Sequence, residues 1–294
     1  MNTRAIDPAA AAGLRFTQIA PTFVGLAQGI DLRQPITDAQ ALALRQALAK
    51  YGVLILKNQP INDDELMRVT EVFGPNRKTS FQVMKNEHQF LIDVTNVDKE
   101  GRPLPQDHSY VLYMKANEFW HSDGTFNPRP QRFTALHARE LPNPPPPTEF
   151  ADTQAAWDAL PAERQRALEG LVVIHDRRRS LERVGQASVQ TADPEERTAR
   201  QPLVRVNEIT GRKSLYVGSH ASYIEGMPKE EGRRLVDELT AFAGQPQFVY
   251  SHPWDLHDLA IWDGSRTLHR ATPYTAPAAR RMRQSGALEL APLL

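Results

Sequence analysis

The hydrophobic pattern of residues 36–61, ITDAQALALRQALAKYGVLILKNQPI, changes its period at Gly52. Before this glycine, leucine and alanine recur at helical spacing behind Thr37 and Asp38, either of which can cap a helix. After it, VLILK is a short and continuous β-rich run. We therefore predict a capped helix that ends at Gly52 and is followed by a buried strand.

A similar helical pattern follows in INDDELMRVTEVFGP, where Asp63 or Asp64 is the expected cap and Gly74 the expected end of the helix. Residues 97–110 are polar and contain two prolines, which predicts a loop. A stiff extended connector is expected at residues 141–148, LPNPPPPT, because four consecutive prolines exclude both a helix and a central strand.

Helical and strand-like segments alternate beyond the prolines. The helical segments are DTQAAWDALPAERQRALEGL, with a break near Pro161, and PKEEGRRLVDELTAFAG, which ends at Gly244. A hairpin is predicted for PLVRVNEITGRKSLYVG with its turn at Gly211, and strands for VVIHD, FVYSHPW, DLAIWDG, TLHRAT and RMRQSGALEL. The strands are irregularly spaced, and the helices are clustered in the first part of the chain and inserted between strands in the later part. This pattern predicts an α+β, mainly β fold on a barrel or sandwich. We expect a single domain over residues 1–294, with its core at about 15–290.

Residues 177–200, RRRSLERVGQASVQTADPEERTAR, are charged and nearly free of large apolar side chains. This composition favours a solvated or disordered loop. A mobile lid over a site is the functional alternative for the same segment.

The overall composition limits the possible functions. Lysine plus arginine equals aspartate plus glutamate at 35 each, so no net charge favours nucleic acid or an anionic membrane as a partner. Cysteine is absent, which excludes disulfides, thiolate catalysis and iron–sulfur clusters, so nitrogen and oxygen must hold any metal. The N-terminus lacks the apolar core of a signal peptide, and no stretch approaches the roughly 20 apolar residues of a membrane span. We expect a cytoplasmic protein with no membrane or nucleic-acid partner.

The motif FWHSDGTF, residues 119–126, places a histidine and an aspartate two positions apart. In a strand, side chains at i and i+2 point the same way, so His121 and Asp123 converge while Ser122 turns away. A surface hydrogen bond would explain the pair. Half of a metal site is the alternative, and it requires a third ligand.

The chain has nine histidines, and we expect those at positions 88, 108 and 252 to be ordinary surface or loop residues. His269 differs because DLAIWDGSRTLHRATPY predicts two strands around an Asp-Gly turn, which would carry this imidazole inward at the far side of the same sheet. Two histidines and one carboxylate on a β scaffold form the facial triad of non-haem Fe(II) oxygenases. Spacing alone does not distinguish such a triad from a chance combination.

Several motifs in the same order resemble the taurine and dichlorophenoxyacetate dioxygenase family. They are NEFWHSDGTF, the threonine after the prolines, FADTQAAWDAL, GRKSLYVGSH and IWDGSRTLHRATPY, and the similarity runs from about GVLILKNQPI to the C-terminus. The resemblance implies a double-stranded β-helix, or jelly roll. It also implies Fe(II) as the cofactor, with 2-oxoglutarate and O2 as cosubstrates.

The resemblance also assigns roles to individual residues. His121, Asp123 and His269 match the iron ligands of the family. Thr148 and Arg280 match the residues that bind the distal carboxylate of 2-oxoglutarate, and a planar guanidinium suits bidentate capture of a carboxylate.

Strand parity separates the arginines of ARRMRQSG. Alternation places Arg280, Gln284 and Gly286 on one face and Arg281 and Arg283 on the other. We therefore expect Arg280 to face the site and its neighbour Arg281 to face away.

The predicted substrate pocket departs from the family pattern. Asn117 matches a pocket-lining position, but Gln284 replaces the second arginine of members that oxidise small anions, and Gly286 replaces a bulkier residue. We expect room for a substrate larger than taurine that is neutral at this end, or an anion held by an arginine of residues 177–200. In the alternative, Arg283 enters the site through a strand bulge and restores the charge.

These observations predict an Fe(II)- and 2-oxoglutarate-dependent dioxygenase that hydroxylates a small organic substrate and releases succinate and CO2. We expect a homo-oligomer, either a dimer or a tetramer. Desaturation or cyclisation at the same iron centre remains open. A non-catalytic binding protein on the same fold and a zinc hydrolase with the same ligands are further alternatives.

Overall fold

The computed structural model describes residues 12–78, 89–185, 198–274 and 278–294. Its α-helices are α1 Asp38–Tyr51, α2 Asp63–Glu71, α3 Ser109–Met114, α4 Thr153–Asp158, α5 Ala162–Leu168, α6 Arg177–Glu182 and α7 Lys229–Ala243. Short 3-10 helices lie at Lys115–Glu118 and Pro246–Phe248.

Strands occur along the whole described chain and make up most of the regular structure in its second half. They are β1 Arg15–Gln18, β2 Gly25–Gln28, β3 Val53–Leu56, β4 Leu91–Thr95, β5 Gln131–Glu140, β6 Thr148–Asp152, β7 Val172–Asp176, β8 Thr198–Pro202, β9 Val204–Val206, β10 Lys213–Leu215, β11 Ala221–Ile224, β12 Val249–His252, β13 Leu259–Asp263, β14 Thr267–Ala271 and β15 Arg281–Leu288.

The strands assemble into one large sheet and three small ones. The large sheet has the order β1-β2-β3-β13-β5-β15-β4, and the small sheets have the orders β12-β6-β14, β11-β7-β8 and β10-β9. The pair β2–β3 is parallel, and the other pairs of the large sheet are antiparallel. The expected mixed fold, in which strands predominate, is therefore confirmed.

An apolar layer joins the large sheet to the β12-β6-β14 sheet. Val53, Leu136 and Trp262 of the large sheet belong to one buried cluster with Phe150 of β6. The rings of Phe150 and Trp262 pack edge to face with their centroids 5.3 Å apart. Because His269 lies in β14, this layer fixes the position of the predicted third ligand relative to the large sheet.

Helices α1 and α2 cover part of the large sheet, as their apolar stripes predict. Leu44 and Leu48 of α1 and Leu66 of α2 lie in a buried cluster with Leu54 of β3. The predicted α1 is confirmed at both ends. Thr37 is the N-cap in a capping box with Gln40, and Gly52 ends the helix with φ 73°.

The predicted ends of α2 are displaced. Asn62, one residue before the expected caps, accepts from the backbone N–H of Glu65, whose side chain accepts in return from the Asn62 N–H. The helix ends at Glu71 rather than at Gly74. Asn62 is the cap because a capping box requires a glutamate or glutamine three residues after it.

The later elements follow the predictions closely. The break near Pro161 separates α4 from α5, and β9 and β10 form the predicted hairpin. Gly244 ends α7, and all five segments predicted as single strands contain strands. Most of the predicted 97–110 loop is irregular, although α3 already begins at Ser109.

The prediction of a solvated loop over residues 177–200 is wrong at both ends of that segment. Arg177, Ser180 and Leu181 are buried in α6, and residues 198–200 belong to β8. Arginine has a long apolar stem, so an arginine-rich turn can pack as a helix and still direct its charges to polar partners. Residues 186–197 lie outside the described residues.

Two of the histidines expected on the surface or in loops can be assessed. His108 is partly buried and caps α3 by accepting from the N–H of Tyr110 at 3.2 Å. His252 is buried at the end of β12, with its Nε2 3.3 Å from an oxygen of Asp258, so the expectation was wrong there. His88 lies outside the described residues. None of the described helices is both long enough and apolar enough to cross a bilayer.

Candidate metal centre and adjoining cavities

The structure brings His121, Asp123 and His269 together. One potential ligand atom from each residue lies within 4.8 Å of the others, and they are the one such cluster of three or more in the described part of the chain. His269 Nε2 is 3.7 Å from Asp123 Oδ2, and the two imidazole centroids are 4.1 Å apart. Two imidazoles and a carboxylate at these separations could hold one divalent cation.

Backbone pairing places the two histidines side by side. His121 forms an isolated bridge with His269, with N–H to O distances of 3.0 and 2.9 Å in the two directions. The predicted strand ends there, because Asp123 lies in a turn in which Gly124 has φ +62°. Asp123 still converges on the histidines, whereas Ser122 points away and donates to the backbone oxygens of residues 264 and 267, each at 3.0 Å.

The tautomer and charge of the candidate ligands suit a metal. His121 Nδ1 is 2.8 Å from the backbone oxygen of Phe119, an arrangement that makes Nδ1 the donor and leaves Nε2 as a lone-pair donor. Burial and the nearby His121 lower the pKa of His269 to about 3. Burial alone would raise the pKa of the Asp123 carboxyl, but the two imidazoles and a hydrogen bond from Thr134 hold it below its ordinary value. At neutral pH, therefore, His269 is neutral and Asp123 ionised, as metal ligation requires.

A cavity that we call cavity A opens beside the cluster, and His121 and Asp123 form part of its wall. Apolar side chains contribute much of the remaining lining, and three of these side chains are aromatic: Tyr110, Tyr113 and Phe126. Arg77, Arg177, His220 and Asp93 also line the cavity. Cavity A therefore combines an apolar, partly aromatic surface with charged groups of both signs.

Sequence reasoning did not identify Arg77 or His220 and named Arg177 only as part of a segment. Arg177 Nη2 donates to the hydroxyl of Tyr113 at 3.0 Å, and its guanidinium lies 5.4 Å from the Phe126 ring. Burial and the neighbouring His121 lower the pKa of His220 well below its ordinary value, so this imidazole is neutral. It is the last residue of the motif GRKSLYVGSH, but no spacing within that motif indicates that its side chain lines cavity A.

A second cavity, cavity B, contains the predicted cosubstrate arginine. Arg280 lines it with Pro147, Thr272 and Tyr274, and Asn117 lines both cavities. Burial lowers the pKa of Arg280 to about 10. Among the described residues, its Nε has no hydrogen-bond partner. A half-buried cation whose Nε is an available donor is a suitable partner for an anionic ligand.

Thr148 is buried next to this region but does not line cavity B itself. It pairs with Ala271 in β14, and its Oγ1 accepts a hydrogen bond from the indole N–H of Trp254 at 3.0 Å. Because that oxygen already accepts, the hydroxyl proton remains available for another acceptor.

Strand β15 turns its two arginines away from cavity A, as parity predicts. Gln284 lines cavity A, whereas Arg281 pairs with Glu140 at 3.0 Å on the outside. Arg283 Nη2 lies 2.9 Å from Asp63, and Nη1 also contacts Asp93. The β15–β5 register does shift, but between residues 281 and 282 and between residues 287 and 288. The alternative in which a bulge turns Arg283 into the site is therefore wrong.

The prediction that Gly286 leaves room for the substrate is also wrong. A Cβ at this glycine would lie 2.2 Å from the side-chain carbon of Gln131, which fills the space. The space left by the absent side chain at Gly286 is filled by Gln131, so a larger substrate would have to be accommodated elsewhere.

Known proteins resemble the chain over nearly its whole length. It is 34% identical to the alpha-ketoglutarate-dependent 2,4-dichlorophenoxyacetate dioxygenase of Cupriavidus pinatubonensis, over 92% of this chain and 96% of that protein. It is 30% identical to the (S)-phenoxypropionate/alpha-ketoglutarate-dioxygenase of Sphingobium herbicidovorans, over 90% and 92%. The crystal structure of AAD-2 with Mn(II) and N-oxalylglycine superposes with a TM-score of 0.86 at 37% identity, over 95% of this chain and all of that one.

The family model for the taurine catabolism dioxygenase TauD, TfdA family matches residues 15–285. This match and the similar proteins confirm the expected enzyme class, an oxidoreductase that uses Fe(II), 2-oxoglutarate and O2 on a small-molecule substrate. The chain belongs to the taurine catabolism dioxygenase TauD, TfdA family.

Proposed function

We propose that the chain oxidises a small aromatic acid in cavity A, at Fe(II) held by His121, Asp123 and His269. The observation that supports this most strongly is the convergence of their ligand atoms within 4.8 Å, with His121 and Asp123 in the wall of cavity A. Two nitrogens and one oxygen leave coordination positions open for cosubstrates, unlike the closed four-ligand set of a structural zinc site.

We propose that Arg280 binds the distal carboxylate of 2-oxoglutarate and that Thr148 assists it. Half-buried Arg280 supports this assignment: its Nε has no hydrogen-bond partner among the described residues, and a carboxylate would supply both an acceptor and a counter-charge. Trp254 supports the role of Thr148, because its indole N–H fixes the threonine oxygen as an acceptor and leaves the hydroxyl proton for the ligand.

The metal, when bound, would couple oxidative decarboxylation of 2-oxoglutarate, which yields succinate and CO2, to oxidation of a substrate C–H bond. The protein would bind and orient the reactants. His121 and His269 are buried, and aromatic side chains line cavity A, so the reacting groups are kept away from bulk water. Asn117, which lines both cavities, would contact substrate where the two meet.

The substrate class follows from the distribution of charge in cavity A. The two curated relatives are named for phenoxy acids, in which an aromatic ring is joined to a carboxylate. Gln284 is uncharged and would not compensate a buried carboxylate. Arg177 supplies positive charge next to Phe126, so we place the substrate acid group at Arg177 and a neutral part at Gln284.

Succinate release tests this proposal with an aryloxyacetate, a neutral aromatic amide and taurine as substrates. We expect coupled turnover with the aryloxyacetate and little with taurine. Arg177→Ala should raise the KM for the aryloxyacetate about tenfold or more, because it removes a charge-assisted contact. Arg178→Ala is the matched control, since Arg178 is exposed on the same helix.

An unchanged KM in Arg177→Ala would overturn the assignment of the acid group. Efficient use of taurine by the wild type would overturn the substrate class. Analysis of the product decides between reaction types, because hydroxylation adds an oxygen atom whereas desaturation or cyclisation removes two hydrogens.

We further propose a single catalytic domain with a double-stranded β-helix core, in a cytoplasmic homo-oligomer. The family match over residues 15–285 supports the single domain. The apolar layer between the large sheet and the β12-β6-β14 sheet supports the core architecture. Val206 and Ile209 of the β9–β10 hairpin are each 55% exposed and offer an apolar surface to a second copy. Light scattering on the purified protein and cell fractionation test the last two points.

A further inference from the structure

We infer that a hydrogen-bonded chain from Arg77 through Gln131 and Thr134 holds the Asp123 carboxylate in position, and that Gly286 is required to make room for it. The inference deepens the proposed function, because it assigns positioning residues to the proposed metal ligand.

The chain consists of three short side-chain contacts. Arg77 Nη1 donates to Gln131 Oε1 at 2.9 Å, and Gln131 Nε2 donates to Thr134 Oγ1 at 2.6 Å. Thr134 Oγ1 then donates to Asp123 Oδ2 at 2.7 Å. Gln131 and Thr134 are 2% and 1% exposed, so water does not compete effectively for these contacts.

The direction of each hydrogen bond is determined by chemistry. A guanidinium has no acceptor, so the oxygen of the Gln131 amide must face Arg77 and its NH2 group must face Thr134. Thr134 therefore accepts from Gln131, and its proton points to Asp123, where an ionised carboxylate only accepts. Arg77 thus sets the orientation of a hydroxyl proton that it does not touch.

Strand β15 secures the other end of the chain. The backbone N–H of Arg77 donates to the backbone oxygen of Gly286 at 2.7 Å, and Gly286 pairs directly with Thr134 in the β15–β5 register. A Cβ at Gly286 would lie 2.4 and 2.5 Å from the amide nitrogen and oxygen of Gln131. Because this amide is held at both ends, a side chain at position 286 would break at least one link.

This arrangement has a specific consequence for Asp123. Among the three candidate ligands it is the one in a turn, so backbone pairing does not fix it as it fixes His121 and His269. The hydrogen bond from Thr134 restricts rotation of the carboxylate. A carboxylate that can rotate can also chelate through both oxygens and occupy a coordination position that a cosubstrate needs.

Metal affinity, measured by calorimetric titration with Mn(II), provides a readout that does not depend on turnover. Thr134→Val should weaken Mn(II) binding roughly 10- to 100-fold, the usual effect of losing such a supporting contact. Thr134→Ser keeps the hydroxyl and should bind within about threefold of the wild type. Thr267→Val is the matched control, because this buried hydroxyl, on the strand of His269, donates to the backbone oxygen of Asp263.

Gly286→Ala tests the chain without changing any of its members. We expect it to weaken Mn(II) binding about as much as Gln131→Ala does. The double variant Gln131→Ala with Gly286→Ala relieves the clash but not the lost hydrogen bonds, so it should bind no better than Gln131→Ala. Recovery of wild-type affinity in the double variant would show that Gln131 only fills space, and would overturn the inference. If Thr134→Val does not fold, the Gly286 and Gln131 variants still test the inference.

Asp123→Ala separates failure of this inference from failure of the proposed metal site. If Asp123→Ala binds Mn(II) as the wild type does, the proposed site is wrong. If Asp123→Ala loses binding while folded Thr134→Val and Gly286→Ala keep it, the site stands and the positioning chain is wrong. Loss in all three, with Thr134→Ser and Thr267→Val unaffected, is the result we expect.

Discussion

The adjacent residues Arg280 and Arg281 allow a direct test of the 2-oxoglutarate site, because they share a residue type and differ in environment. Arg280 lines cavity B and burial lowers the pKa of its guanidinium, whereas Arg281 is 40% exposed and pairs with Glu140, which is 50% exposed. We expect Arg280→Ala to weaken 2-oxoglutarate binding and Arg281→Ala to leave it unchanged.

The magnitude follows from burial and charge. Loss of a charge-assisted hydrogen bond costs about 1.5–3 kcal/mol, or roughly a ten- to hundredfold increase in Kd. The Arg280 variant should nevertheless fold, because burial lowers the pKa of Arg280 to about 10, so its charge destabilises the ligand-free protein. Removing Arg281 breaks an exposed ion pair worth about 0–1 kcal/mol of folding free energy.

The assay is anaerobic titration of the Fe(II)-loaded protein with 2-oxoglutarate, with thermal unfolding of each ligand-free variant alongside. Arg280→Lys should fall between wild type and Arg280→Ala, because it keeps the charge but loses the bidentate fork. Equal Kd values for Arg280→Ala and Arg281→Ala would refute both the role of Arg280 and the separation of the two arginines by strand parity.

Three further predictions concern buried or capping groups. Burial lowers the pKa of His137 to about 4, so the unfolded chain binds a proton that the folded state does not. His137 alone should therefore contribute a fall in the unfolding free energy of about 1.4 kcal/mol per pH unit as the pH drops from 6.5 towards 4, and His137→Gln should reduce the slope by about that amount in denaturant titrations. Trp254→Phe should raise the KM for 2-oxoglutarate severalfold through Thr148, and an unchanged KM would contradict that link. Thr37→Ala should cost about 1 kcal/mol in unfolding free energy at unchanged kcat.

Local sequence signals predicted the elements that local chemistry determines. Thr37 and Gly52 lie at the two ends of the helix they delimit, and the alternation along β15 separates Gln284 from its neighbour Arg283 without reference to any partner. The third metal ligand, His269, was predicted from the family motifs. Local sequence could not identify it, because the bridge that places it beside His121 joins residues far apart in the chain.

Features that depend on distant contacts were not predicted. Strand β5 is buried at nearly every position from Gln131 to Ala138, so its sequence lacks the alternation that marks a half-exposed strand. The space at Gly286 is filled from position 131, and a sequence pattern around 286 cannot indicate that. His252 is buried in packing that includes the ring of Trp254, with centroids 4.6 Å apart, and an oxygen of Asp258, which lies 3.3 Å from its Nε2.

The central claim is that His121, Asp123 and His269 hold the iron that 2-oxoglutarate chelates. Anaerobic addition of Fe(II) and then 2-oxoglutarate to the purified protein, followed by visible absorption, tests it most directly. We predict a charge-transfer band that requires both additions and is lost in His269→Ala and Asp123→Ala. An undiminished band in either variant, or no band in the wild type with both components bound, would contradict the account.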